Sequence, residues 1–533
     1  MRICLLSREY PPDTGWGGIG AYTYQHAHGL KRLGHDVEVV ALAKKEVSSE
    51  HELPPLETEG IKVHRAIWGP LLEDLSSICL ISPYSHYVLK CSLALWQKFL
   101  KRHRELPFDV VEAPEHLAEG LFPAMTKICP LVIRLHTPHS KFVQEGYHNL
   151  VPSFDLHMVS NLERTAMLEA DVLSSPSVDL ARYVAADCGY KLEDIEIVRN
   201  PVDADIFSPD GPRAIAADEE KPVVFFAGRL EERKGIYDLV TAIPTVLTSC
   251  PQARFVFVGA DTNTARGEGS VLAELKERLQ ASNSLQSVNF VGKVPLSEMA
   301  NYYRSADICV VPSLYDNAPY TVLEAMACGK PMVGSSAGGV PEYIVHEETG
   351  LIVPTASSEE LAKAISALLT NKEMRLAYGA AARRRIMNSF ERSIIASEAV
   401  KTYELAIERY RDSRENALYR KAPEEAIQDF VTMLIAYHES LSELIYKHAA
   451  GLNRQRWLQL LAHRPKLAAA KLVLGFFNAA AKVPVIGKPA QSMARRLEVG
   501  VENKEREAQE KMLERLFLLF DLPAKAPNGL LRE

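Results

Sequence analysis

The sequence has no Cys-x-x-Cys pair, no apolar stretch near the roughly 20 residues that a membrane-spanning helix needs, and no surplus of basic charge. Each absence excludes a class. The eight cysteines (Cys4, Cys79, Cys91, Cys129, Cys188, Cys250, Cys309 and Cys328) stand apart, most of them in apolar stretches. They read as buried thiols in a reducing compartment, with neither a zinc site nor a disulfide framework. Lys and Arg number 61 against 68 Asp and Glu, for a net charge of −7. A dedicated nucleic-acid binder would carry the opposite balance, so no nucleic-acid partner is expected. The opening MRICLLSREYPPD holds an apolar run of four residues before Ser7, Arg8 and Glu9 interrupt it, so no secretory leader is expected. The expected location is cytoplasmic, with a peripheral place at the inner face of the membrane left open.

What is present is an ordinary soluble composition, 47% hydrophobic and 24% charged, over 533 residues. That length suits about three to four units. Short β-branched runs alternate with longer amphipathic segments. The strands of a first series are expected at Ile3–Leu6, Val37–Leu42, Ile61–Ala66, Val110–Ala113, Leu131–Leu135, Val172–Ser175 and Glu196–Val198. A polar linker, Asp210–Lys221, separates them from a second series at Val223–Ala227, Arg254–Val258, Val288–Val291, Ile308–Val311, Pro331–Val333 and Leu351–Val353. Such alternation predicts α/β architecture with two doubly wound, Rossmann-like domains facing a cleft. Ligands of such sheets bind at the carboxyl ends of the strands. The expected units are 1–205, 206–392, a returning helix 393–420 and an α-helical C-terminal extension 421–533.

Within the extension, residues 444–497 carry ten Lys and Arg and no Asp or Glu, mixed with Trp457, Phe476 and Phe477. This composition suits either an anionic membrane surface or packing against the rest of the chain.

Several loops carry chemistry. Gly15-Trp-Gly-Gly-Ile-Gly20 contains G-x-G-x-x-G, but the loop before it is too long for the tight dinucleotide turn. The second strand also ends in Ala41-Leu-Ala-Lys44, without the acid that holds a ribose. Gly17 and Gly18 still suit close backbone approach to a sugar or anion at a helix N-terminus. In Phe226-Ala-Gly-Arg-Leu-Glu-Glu-Arg-Lys-Gly235 the strand runs into Arg229, with Lys234 five residues on, where a diphosphate would need cations. Asp316 and Glu324 are eight apart and flank an expected helix N-terminus, where the amides of Tyr320 and Thr321 can receive phosphate oxygens. Glu112 and Glu115 form a second carboxylate pair, acceptor-side or structural. His136 follows an apolar strand and reads either as a site residue or as a hydrogen-bonded core histidine.

Taken together, A-G-R-L-x-x-x-K-G, then Asp316 and E-A-M-A-C-G-x-P, then G-G-V-P-E resemble the retaining glycosyltransferases of the GT-B fold, family 4. So do S-R-E-Y-P-P-D-x-G-x-G-G-I-G, R-L-H-T-P around His136 and N-P-V-D near residue 200. The resemblance spans about residues 1–410. It implies transfer of a sugar, with retention, from a nucleotide-sugar to the hydroxyl of a glycan, lipid-linked or small-molecule acceptor. Arg229 and Lys234 would neutralise the diphosphate, and Glu324 would hold the ribose. Asp316 would contact the donor sugar, with Asn317, Tyr320 and Thr321 lining its pocket. Gly17 and Gly18 would approach from the other domain, and His136 would lie by the reacting centre. No cofactor and no metal are expected. The family normally has Glu at position 316 and often Gly at 319. Asp316 reaches one methylene less, and Pro319 lacks an N–H, which leaves the sugar open. A non-catalytic nucleotide-sugar-binding scaffold and an epimerase of the same fold are the rival readings.

Overall fold

The computed structural model describes residues 1–415, apart from 13, 16, 45–52, 68–82, 146–153 and 266–268. The basic segment 444–497, the rest of the 421–533 extension and Cys79 lie outside the described residues.

Eight strands make the first sheet: β1 (Arg2–Ser7), β2 (Asp36–Leu42), β3 (Leu56–Thr58), β4 (Ile61–Ala66), β5 (Val110–Pro114), β6 (Leu131–Arg134), β7 (Val172–Ser175) and β8 (Ile195–Ile197). Their order is β3-β4-β2-β1-β5-β6-β7-β8. Six make the second: β9 (Val223–Ala227), β10 (Arg254–Val258), β11 (Val288–Gly292), β12 (Ile308–Val311), β13 (Met332–Ser335) and β14 (Gly350–Val353), in the order β11-β10-β9-β12-β13-β14. Every pairing is parallel except β3 with β4. The two doubly wound sheets expected from the alternation are therefore present. The addition is β3, a short edge strand in a Pro- and Glu-rich stretch, turned back by Glu59 and Gly60 at positive φ (49° and 79°).

Strand residues are apolar on both sides because helices cover both faces, as parallel sheets require. One face of the first sheet packs Leu6, Val40, Trp96 and Ile133, and the other packs Ile3, Val39, Val132 and Tyr403. Each fully buried Leu, Ile or Phe contributes about 1.5–3 kcal/mol.

Tyr403 belongs to the helix Arg392–Glu415, which leaves the second sheet and lies on the first, against the helix Gly18–Arg32. The approach is close enough to require Gly29, where a Cβ would fall 2.5 Å from the Arg392 carbonyl oxygen. The chain crosses between sheets at Val202 and Phe390–Arg392, where Arg392 forms a buried pair with Asp203 at 2.6 Å.

Beside each sheet's first strand the order reverses, between β1 and β5 and between β9 and β12. Those reversals open crevices at the carboxyl ends of the strands.

Candidate active site

The crevice of the second sheet is built by the loops after β9 and β12. The β9 loop makes a short turn, Glu232–Lys234, that brings Lys234 Nζ to 2.5 Å from Asp316 Oδ2. Burial would raise the Asp316 carboxyl, but Lys234 and then Arg233 outweigh it and hold it below its ordinary range. Burial also lowers Lys234, against the pull of Asp316. Arg233 donates to Glu231 at 2.7 Å and to the Tyr315 carbonyl at 3.1 Å, fixing one loop on the other. Arg229 is exposed and lies 3.3 Å from Glu231, the carboxylate that Arg233 also holds.

The helix Tyr320–Ala327 follows, and its first turn offers main-chain N–H groups to the crevice. Thr321 is half-buried, and the Tyr320 hydroxyl is buried without a partner. Glu324 is buried one turn in and accepts from the Tyr303 hydroxyl at 2.7 Å. Burial raises its carboxyl to about 7, offset in part by that bond.

Asn317 is placed differently from a plain pocket-lining residue. Its Nδ2 donates across the cleft to the His136 carbonyl and to Thr137 Oγ1, and its Oδ1 accepts from the Tyr315 hydroxyl. The amide thus joins the Asp316 loop to the loop after β6. The Gly338-Gly339 turn backs this loop, and the Gly339 N–H and Glu342 N–H bonds keep it tight. Glu342 reaches over to accept from Val178 N and Asp179 N, each at 2.9 Å, at the start of the helix Val178–Cys188.

On the first sheet, Gly17 and Gly18 are exposed at the start of the helix Gly18–Arg32. His136 lies two residues beyond the end of β6 and is half-buried. Its ring meets the Tyr22 ring edge-on at 5.3 Å, and its Nε2 is buried without a partner. Burial, then Arg134, lowers its pKa to about 3, so the imidazole is neutral.

Glu115 and Glu112 are both occupied inside the first domain. Glu115 accepts the His136 N–H at 2.7–2.8 Å. Glu112 accepts from the Tyr22 and Tyr403 hydroxyls, each at 2.9 Å. Of the two readings left open for this pair, the geometry favours the structural one.

Some contacts of the site could not be read from the sequence, although Arg134 and Asn200 stand in the R-L-H-T-P and N-P-V-D motifs. Arg134 is fully buried, donates to Ser174, Val198 O and Asn200, and lies 4.4 Å from the Tyr22 ring centre. Asn200 continues the chain of bonds to Ala318 O at 3.1 Å. Glu119 accepts the Arg8 N–H at 2.8 Å, and Glu163 accepts from Leu117 N, His139 N and His139 Nδ1. These buried carboxyls fix strand-end loops by taking main-chain N–H groups. The one available signal was an acid inside an apolar run, as in Leu117-Ala-Glu-Gly-Leu121.

His116, His139 and Glu163 are close enough to converge on a metal ion. Their atoms are engaged otherwise: His139 Nδ1 lies 2.6 Å from Glu163 Oε1, a hydrogen-bond distance, and His139 Nε2 pairs with the Tyr84 hydroxyl at 2.7 Å. Asp203 and Asp205 are likewise committed, to Arg392 and Arg32.

A pH effect follows from Glu115. Burial, then the neighbouring Glu163, raises its carboxyl from 4.5 to about 8. The folded chain then holds a proton that the unfolded chain has released, so this contribution is complete below about 4.5 and is lost as pH rises through about 8. Glu115→Gln is expected to flatten the fall in thermal stability over that window, measured by denaturation from pH 4.5 to 9. An unchanged slope would remove Glu115 as its source.

Residues 209–385 match the family described as glycosyl transferases group 1, and residues 16–206 match glycosyltransferase family 4. The glycogen synthase of Mycobacterium tuberculosis is 28% identical over 413 residues, covering 76% of this chain and 94% of the relative. The sucrose-phosphate synthase of Thermosynechococcus elongatus superposes with a TM-score of 0.60 at 24% identity, over 76% of this chain and 98% of that one. The Anabaena protein HepE in complex with UDP-glucose superposes with a TM-score of 0.55 at 20% identity, over 76% and 99%.

Proposed function

The chain belongs to the group 1 glycosyltransferases, and from that premise we propose that it moves a hexose-type sugar from a nucleotide-sugar, with retention and without a metal ion, to an acceptor hydroxyl. The observation that carries this reading is the Lys234–Asp316 pair at the β9/β12 reversal, joined by Asn317 to the His136 loop opposite. That HepE was solved with UDP-glucose supports a donor of the same class.

Departure of a nucleoside diphosphate concentrates negative charge on its terminal phosphate. Lys234, the exposed Arg229 and the first amides of the helix Tyr320–Ala327 stand where that charge grows, and preformed donors of this kind lower a barrier without reorganising. Asp316 orients Lys234 and is the acid available to the donor-sugar hydroxyls. Glu324 is set to bind the ribose. The carboxyls of Glu112 and Glu115 are engaged by protein groups, which leaves neither poised as a nucleophile. Retention then fits attack on the same face that the diphosphate leaves, with a phosphate oxygen taking the acceptor proton. His136, neutral and with Nε2 unpaired, holds a hydroxyl beside that centre and carries no proton of its own into the step.

Ligands that bind the native state raise its stability, by about 2.7 kcal/mol at a hundred times Kd. UDP-, GDP- and ADP-sugars are therefore expected to separate in a thermal-shift screen, with one base standing out. Titration calorimetry should then show that Glu324→Ala weakens binding of the matching nucleoside diphosphate. Equal binding by that variant would remove the ribose role, and no stabilisation by any nucleotide-sugar would overturn the reading.

A further inference from the structure

Near His136 the first domain carries a row of rings. Tyr87 and Tyr84 stack with centres 6.4 Å apart and planes 9° apart. Tyr84 meets His139 at 5.4 Å, and His139 stacks on His116 at 4.9 Å and 11°. Tyr84, Tyr87 and His116 are half-buried, so the row keeps an open side. It stands beside Thr137, the residue that Asn317 grips from the second domain, so its inner end adjoins the reacting centre.

The charge around this row is already balanced. Arg8 pairs with Glu9 at 3.2 Å, while Glu119, whose carboxyl burial raises to about 8, accepts the Arg8 N–H. Lys141 pairs with Glu145 at 2.9 Å and stands 4.7 Å from the ring centres of both Tyr183 and Tyr315. Arg134 is spent below on Val198, Ser174 and Asn200. Burial holds His116 and His136 in the uncharged form. Recognition of a phosphate or carboxylate calls for free cations in fork-like or clustered geometry. A sugar ring needs instead an aromatic face for its C–H groups and neutral donors and acceptors for its hydroxyls.

We propose that the acceptor is a neutral carbohydrate, bearing neither phosphate nor carboxylate, seated on the half-buried rings of Tyr84, Tyr87 and His116, which the buried His139 holds together. This rests on the glycosyltransferase reading above and adds the class of the second substrate.

The test uses the full chain with the nucleotide-sugar found by thermal shift, and matched acceptors: maltose against maltose 1-phosphate, glucose against glucose 6-phosphate, and methyl glucoside against glucuronic acid. The neutral member of the pairs that react is expected to have a kcat/KM higher by about tenfold or more, as expected when one partner leaves a charge unpaired. Tyr84→Ala is expected to raise the acceptor KM by about fivefold, the size of one lost ring contact, with the donor KM unchanged and Tyr84→Phe close to the parent. Glu9→Gln, which releases Arg8 from the carboxylate 3.2 Å away, should narrow the preference against phosphate. Equal use or preference for the anionic partner overturns the proposal. So does an acceptor KM indifferent to Tyr84→Ala, or transfer to no carbohydrate by a chain that binds donor. Failure to bind any nucleotide-sugar is a separate result, which overturns the underlying reading and this proposal with it.

Discussion

Lys234→Ala is expected to lower kcat by roughly 100- to 1,000-fold, about 3–4 kcal/mol, while the chain stays folded. Among the described residues Lys234 is the one cation at bonding distance from Asp316, and it is held at the β9/β12 reversal by a tight turn. Its loss removes a charge that the leaving diphosphate needs and also frees the Asp316 carboxylate, with Arg233 left 3.9 Å away. The variant therefore joins two effects, and Arg229→Ala separates them. Arg229 is exposed and makes its ion pair with Glu231, which Arg233 also holds. Its loss should leave the loops in place and reduce transfer through charge alone. The measurements are kcat and KM with the preferred donor, accompanied by melting temperature. Near-normal turnover in both variants would defeat the assignment of this crevice to the diphosphate.

The sheet framework was legible because parallel strands covered by helices on both faces must be continuous apolar runs, and such runs stand out between amphipathic segments. Val223–Ala227 and Ile308–Val311 are found at the residues that the pattern marks. The strand Leu56–Thr58 was not legible, since a three-residue edge paired on one side has no apolar period to show.

That Lys234, Asp316 and Glu324 stand at the carboxyl ends of strands was legible for a related reason. They lie on loops and a helix start that directly follow strands, so their place is set by the local chain. What could not be read was which groups meet across the cleft. Asn317 falls within the donor loop in sequence, yet its amide bonds to the loop after β6, some 180 residues earlier. Arg134, Glu119 and Glu163 are buried charges whose partners are distant in the chain. Nothing in their neighbours announces the main-chain groups that they satisfy. For the same reason the spacing of Glu112 and Glu115 was uninformative: three residues apart, they face different networks.

Gly339→Ala is the second change with a large expected effect, and it acts through position alone. Gly339 has φ −84°, a conformation open to any residue, so backbone strain is not the cause. The obstacle is space. A Cβ there would fall 1.8 Å from the Asn317 carbonyl oxygen, 2.9 Å from its carbon and 2.8 Å from the Ser177 Cβ. Main-chain atoms cannot swing aside as a long side chain can, so the segment 316–317 must shift. That segment carries both the carboxyl that holds Lys234 and the amide that holds the His136 loop. A displacement near 1 Å between groups that must meet costs on the order of 100-fold in rate. The turn is buried, with Val340 in the core behind it, so a fall in melting temperature should accompany the fall in kcat, and turnover is compared at a temperature where both chains are folded. Donor binding by calorimetry should weaken less than turnover, because Glu324 and Arg229 stand outside the displaced segment. A Gly339→Ala chain with near-parental kcat would show that the Asp316–Asn317 loop tolerates movement, and would remove the cross-cleft link through Asn317 as a requirement for transfer.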